Sequence, residues 1–125
     1  MTPALCCAVA ALVTAVIDGD TIAVSARAWP GIEAVGLVRL LGIDTPELHG
    51  RCDAETAAAQ AARAAVRDLA PPGAVVTLSQ VGTDKYGRIL ARVALADGRD
   101  LSLTLLAQGH GRPYAGGRRE GWCGE

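Results

Sequence analysis

Apolar and polar positions change period several times along this chain of 125 residues. Val13–Ile17 and Thr21–Ser25 are short, β-branched runs on either side of Asp18-Gly19-Asp20. Runs of that kind around an Asp-Gly pair predict two antiparallel strands joined by a tight turn. Arg27–Glu33 holds Pro30 and Gly31 and reads as a loop. Val35–Leu41 predicts a third strand, ended by Gly42. The period then becomes helical: Asp53 is expected to cap a helix over Ala54–Leu69, with Ala58, Ala62, Ala65, Val66 and Leu69 on its inner stripe. Pro71-Pro72-Gly73 stops it. Val75–Val81 and Ile89–Leu95 predict two further strands, and Leu101–Gln108 a short helix closed by Gly109. The tail from Gly111 is rich in Gly and Arg and reads as irregular.

Three strands, a helix, two strands and a helix do not alternate as a doubly wound sheet does. Five short strands with an inserted helix suit a β-barrel with helices, a small α+β barrel of the OB type with two to three helices, built as a single domain over residues 1–125. Composition bears on what fills it. Phe is absent and aromatics are 3 %, so the core falls to Leu, Val, Ile and the many alanines. Ring platforms for stacking bases are scarce.

The net charge of −1 disfavours a partner held by a broad basic surface. Contact with a polyanion then needs a few placed arginines or a bound cation. The stretch Leu5–Ile17 has the length of an export-signal core, but the first basic residue is Arg27, after it. Its second half reads as the first strand; residues 1–11 are open between a trimmed signal and a strand extension. No segment is long enough to span a membrane. Among Cys6, Cys7, Cys52 and Cys123 there is no C-x-x-C. A zinc site of His49, Cys52, His110 and Cys123 matches no zinc spacing closely. A Cys52–Cys123 disulfide and two free thiols both stay open.

Candidate chemistry gathers at strand ends. Asp20 and Asp44 lie beside turns on different strands, and two such carboxylates can meet at one end of a barrel to hold a hard cation. Turns also favour Asp for local hydrogen bonding alone. An EF-hand is excluded, because counting from Asp18 position six is Ala23 and position twelve is Trp29. Pro46 holds Thr45 extended and can aim Glu47 at the same end, where a carboxylate can serve as general base toward water; an exposed loop Glu is the plain alternative. Arg39 sits in an apolar run, where an unpaired charge is costly, and Arg88 begins a strand. Guanidinium forks suit a phosphate, and equally suit structural ion pairs. No P-loop and no G-x-S-x-G occurs.

Taken in order, Val16-Ile17-Asp18-Gly19-Asp20-Thr21, Val38-Arg39-Leu40-Leu41-Gly42-Ile43-Asp44-Thr45-Pro46-Glu47 and Thr83-Asp84-Lys85-Tyr86-Gly87-Arg88 closely resemble the staphylococcal nuclease (thermonuclease) family, with Leu105-Leu106-Ala107-Gln108-Gly109 resembling its later helix. The resemblance runs from about Leu12 to Tyr114. It implies an OB barrel and a calcium-dependent nuclease acting on DNA and RNA, single-stranded or unwound, as a monomer. It places Ca²⁺ on the Asp20 and Asp44 carboxylates and the Thr45 carbonyl, the phosphodiester between Arg39 and Arg88, and the attacking water on Glu47. Lys85, Tyr86 and Tyr114 then flank the terminal nucleotide. The products implied carry 3′-phosphates. The chain departs from the family in the short loop Leu48-His49-Gly50-Arg51-Cys52 and in lacking a long basic C-terminal helix. Some members resembling this family have lost the catalytic set, so a non-catalytic nucleic-acid or protein-binding module is the alternative. A disulfide implies an oxidising compartment, and family members are often exported.

Overall fold

A computed structural model of the chain describes residues 8–124. The strands are β1 (Val9–Asp18), β2 (Thr21–Trp29), β3 (Ile32–Leu40), β4 (Gly42–Asp44), β5 (Val75–Thr83), β6 (Ile89–Ala94) and β7 (Arg112–Tyr114). The helices are α1 (Asp53–Leu69) and α2 (Leu101–Ala107). Strands β1, β2, β3, β6 and β5 close into one barrel, β5 returning to pair with β1. All pairs are antiparallel except β3–β6. A parallel pair needs a long crossover, which α1 and β5 supply. This is the small OB-type barrel with two helices that the pattern predicts.

Alternation decides the inside. Val13 and Val16 on β1, Ile22 and Val24 on β2, Val38 and Leu40 on β3, Val76 and Leu78 on β5, and Ala91 and Val93 on β6 fill the barrel. Val66 of α1 and Ala70 just after it, with Leu101 and Leu105 of α2, complete the core. Gly19 is fully enclosed at the β1–β2 turn. A Cβ there would lie 2.7 Å from Ala62 Cβ and 2.9 Å from Thr45 Oγ1, so α1 and the loop after β4 can approach this turn only because Gly19 has no side chain.

Four local expectations are corrected. Arg27–Glu33 is not a loop: β2 and β3 run on through it as a hairpin arm, turning at Pro30-Gly31 with Gly31 at φ +83°. Register there is held by backbone pairing from Ser25↔Val35 to Trp29↔Ile32, with Ser25 donating to Glu33 at 2.9 Å. The tail is not wholly irregular, because Arg112–Tyr114 pairs with Gly42–Asp44. The buried stripe of α1 is Glu55, Ala59, Ala62 and Val66; Ala58 is exposed, while Ala65 and Leu69 are half-buried. Asp53 does not cap α1. Extended Cys52 does so with no side-chain bond, and the Glu55 carboxylate turns back to accept from the N–H groups of Arg51 (3.0 Å) and Glu47 (3.1 Å).

Cys52 is joined to Cys123 by a disulfide with Cα atoms 6.0 Å apart. Closing a separation of 71 residues stabilises by about 4 kcal/mol in the chain-entropy model. Both cysteines of the imagined zinc set are consumed by this bond, and Glu55, beside Cys123 Sγ at 3.5 Å, is committed to α1. Cys6 and Cys7 lie outside the described residues, as does most of the segment read as open between signal and strand; Val9–Ala11 belongs to β1.

Candidate active site at the acidic end of the barrel

Each side chain arrives by a local rule. Thr21 pairs with Arg39 across β2–β3, and the Leu40 N–H donates to the Asp20 carbonyl at 2.8 Å, so Asp20 and Arg39 are neighbours by register. Between inward Val38 and Leu40, Arg39 points out of the barrel. It is nevertheless only 7 % exposed, with Tyr114 of β7 lying 5.8 Å from its guanidinium. Gly42, at φ +88°, turns the chain into β4 and delivers Asp44 and Thr45 to the same place.

The result is a cluster of buried charge. Arg39 Nη1 donates to the carbonyls of Leu40 (2.9 Å) and Ile43 (2.8 Å). Its Nη2 lies between Asp20 Oδ2 at 3.4 Å and Asp44 Oδ1 at 3.6 Å. Asp20 also accepts from the Thr45 N–H and the Thr21 hydroxyl, both at 3.2 Å. Asp18 accepts from the Asp20 N–H at 3.1 Å; burial and the neighbouring Asp20 charge push the Asp18 carboxyl up to about 6. Asp44 Oδ1 is buried with no aligned hydrogen-bond donor, and Thr45 Oγ1 likewise.

Sequence reasoning missed one member. Arg119 of the tail places Nη2 2.7 Å from Asp44 Oδ1 and Nη1 2.5 Å from Glu47 Oε1, and reaches the Thr45 carbonyl at 3.3 Å. Its contact with Asp44 supplies charge without the alignment of a hydrogen bond, which is why that oxygen stays orphaned. Partial burial opposes the charge on Arg119, but the close carboxylates of Asp44 and Glu47 outweigh it and raise its pKa above the ordinary guanidinium value. Only its position four residues before Cys123 hinted at this, and only once the disulfide is known.

The remaining candidates share a cleft of about 890 Å³ with Asp20, Arg39 and Glu47 without joining the cluster; Asp44 and Thr45 do not line it. Arg88 is paired to Asp84 through Nε at 2.7 Å, with its side chain 45 % exposed. Tyr86 is exposed and stands between Lys85 (5.3 Å) and Arg88 (5.7 Å). Tyr114 donates through its hydroxyl to the Gly117 carbonyl at 2.7 Å. Asp20, Arg39, Asp44, Thr45 and, through Arg119, Glu47 are thus brought together, and Lys85, Tyr86 and Arg88 line the cleft without contacting them.

The donors fit a hard divalent cation. Two buried carboxylates, one of them with an oxygen lacking an aligned donor, and the Thr45 carbonyl are oxygen ligands of the kind calcium takes. The guanidinium of Arg119 lies where Asp44, Glu47 and the Thr45 carbonyl converge, so a positive charge is accommodated there.

The protein is a closed barrel of the OB type with carboxylates and arginines gathered at one end. Within that class, the sequence model of staphylococcal nuclease homologues matches residues 37–120, and the chain belongs to that family. The match spans Arg39, Asp44, Thr45, Glu47 and Arg88 and begins after Asp20, whose place rests on the geometry above. Comparison with curated proteins gives no match.

Proposed function

We propose that this protein is a calcium-dependent nuclease that hydrolyses phosphodiester bonds of DNA and RNA. The observation that carries the reading is the contact cluster of Asp20, Asp44, Thr45, Arg39 and, through Arg119, Glu47, of which Asp20, Arg39 and Glu47 line the cleft, in a chain of this family. Calcium, when bound by Asp20, Asp44 and Thr45, supplies Lewis-acid stabilisation of negative charge on the phosphoryl oxygens.

The chain's own residues do the rest. Arg39, oriented by the Leu40 and Ile43 carbonyls, is a fixed fork for a phosphodiester oxygen. Arg88, which lines the same cleft, serves once it exchanges Asp84 for phosphate. Glu47, half-exposed at the cleft, accepts a proton from water as the water oxygen bonds to phosphorus. The P–O5′ bond breaks, the O5′ oxygen takes a proton from solvent, and a 3′-phosphate remains. Tyr86 and Tyr114 offer ring surfaces to the flanking nucleotide.

Digestion of heat-denatured DNA with calcium, and then with chelator, tests this beside Glu47→Gln. Cleavage that needs calcium and falls about 10²–10⁴-fold in the variant, the range for a general base, is expected. Folded protein that binds DNA in a calcium-dependent way but never cleaves it would instead be a binding module on the same fold.

A further inference from the structure

The guanidinium of Arg119 touches three of the groups that the proposed reaction needs: Asp44 Oδ1, Glu47 Oε1 and the Thr45 carbonyl. It comes from far along the chain, 72 residues from Glu47. The tail that carries it is fastened on both sides. Before it, the Gly117 carbonyl accepts from the Tyr114 hydroxyl at 2.7 Å. After it, Arg112 lies 3.4 Å over the Trp122 ring and donates to the Gly121 carbonyl at 2.6 Å. Cys123 is then bonded to Cys52, at the start of α1.

We propose that Arg119 is a built-in counter-cation of the carboxylate site, held there by the Cys52–Cys123 tether, and that a divalent cation has to displace it to reach Asp44. The inference rests on reading Asp20, Asp44 and Thr45 as the cation site. Three physical points carry it. A guanidinium and a calcium ion cannot both sit against Asp44 Oδ1 and the Thr45 carbonyl, so their binding is exclusive. Asp44 is 3 % exposed, and Arg39 approaches it only at 3.6 Å, so a second positive charge is needed when no metal is present. An arginine at 40 % side-chain exposure, on a free tail, would hold such a pair weakly. A disulfide four residues away converts it into an intramolecular ligand at high effective concentration.

The consequence is quantitative. When the competent state is a fraction of the population, the apparent dissociation constant is the intrinsic one divided by that fraction. If Arg119 occupies the site about nine-tenths of the time, removing it tightens calcium about tenfold. The deletion acts in the opposite sense on the metal-free protein, which loses its counter-charge.

The test is calorimetric titration of calcium chloride into the oxidised protein, into Arg119→Gln, and into Cys52→Ser/Cys123→Ser. Thermal melts with and without calcium accompany each titration. Arg119→Gln is expected to bind calcium about tenfold more tightly, to melt lower than wild type without it, and to gain more from it. The cysteine variant is expected to move the same way by less, since its arginine remains but its tether does not; circular dichroism reports whether it folds. Reduced wild type gives the same arm without substitution. Calcium affinity in Arg119→Gln equal to or weaker than wild type overturns the proposal while leaving the cation site intact. Affinity unchanged on loss of the disulfide overturns the tether. If neither wild type nor Arg119→Gln binds calcium, the metal reading itself fails and takes this proposal with it.

Discussion

Two arginine–aspartate groups in this barrel are built to opposite standards. Arg92 of β6 meets Asp100 through two aligned bonds, Nε to Oδ2 at 2.9 Å and Nη2 to Oδ1 at 3.0 Å. Asp100 also caps α2 by accepting from the Leu103 N–H at 2.9 Å. Every group there is spoken for. Arg39, Asp20 and Asp44 are more deeply buried, yet the arginine stays 3.4 and 3.6 Å from the carboxylates, and an Asp44 oxygen has no aligned donor. An ion pair that only holds a fold closes its valences, because an orphaned buried polar atom costs about 1–3 kcal/mol. At the deeper group that oxygen is met only by the unaligned charge of Arg119 at 2.7 Å, a contact from the tail that a ligand can replace.

The largest test of this contrast exchanges arginine for lysine in both groups. Arg39→Lys is expected to lose about 10²–10³ in turnover on denatured DNA, nearly as much as Arg39→Ala, since an ammonium cannot make a forked contact. Arg92→Lys is expected to keep turnover and lose stability. Wild-type turnover in Arg39→Lys would erase the distinction. A smaller effect probes how tightly the acidic end is packed. Gly19→Ala puts a Cβ 2.7 Å from Ala62 Cβ, and is expected to destabilise by about 1–3 kcal/mol in a denaturant melt, with calcium response falling alongside. An unchanged melt would show that the turn and α1 have slack.

The smallest effect is at the satisfied pair. Asp100→Ala should cost about 1 kcal/mol for the lost cap, and Asp100→Asn less, because Asn also caps. Burial pushes the Asp100 carboxyl up, but the bonds from Arg92 and the Leu103 N–H and the charge of Arg92 hold it below its ordinary 3.8. A depressed carboxyl contributes stability that is complete above the unfolded pKa and is lost as pH falls through the folded one. Melts taken downward from pH 4 should therefore fall more steeply in wild type than in Asp100→Asn. Parallel curves would deny Asp100 that role.

The barrel strands and both helices were legible because their periods persist for a turn or more. What escaped had too little sequence to carry a period. Strands β4 and β7 are three residues each, and pair only because Gly42 and the tail bring them together. The buried side of α1 is legible at Ala62 and Val66 but not in its first turns, where alanines occupy both faces and Ala58 and Ala59 look alike. In the hairpin arm, Pro30-Gly31 read as loop when it is only the turn. At the site, Asp20, Arg39, Asp44, Thr45 and Glu47 could be singled out because they sit in ordered motifs at strand ends. Arg119 could not, since nothing local distinguishes it from Arg118; its position depends on a bond to Cys52 far upstream.

The hairpin arm carries a cost that the closed barrel otherwise removes. Strand β3 pairs with β6 only over Val38–Leu40, and β2 pairs with β1 only as far as Ser25. Beyond those points the arm has two open edges, and Trp29, Ile32 and Val35 on it are exposed. Open, apolar strand edges are where one chain recruits another into a growing sheet. The arm is thus a place where closure leaves an aggregation hazard, and Arg27 and Glu33, paired at 3.6 Å, stand there as gatekeepers.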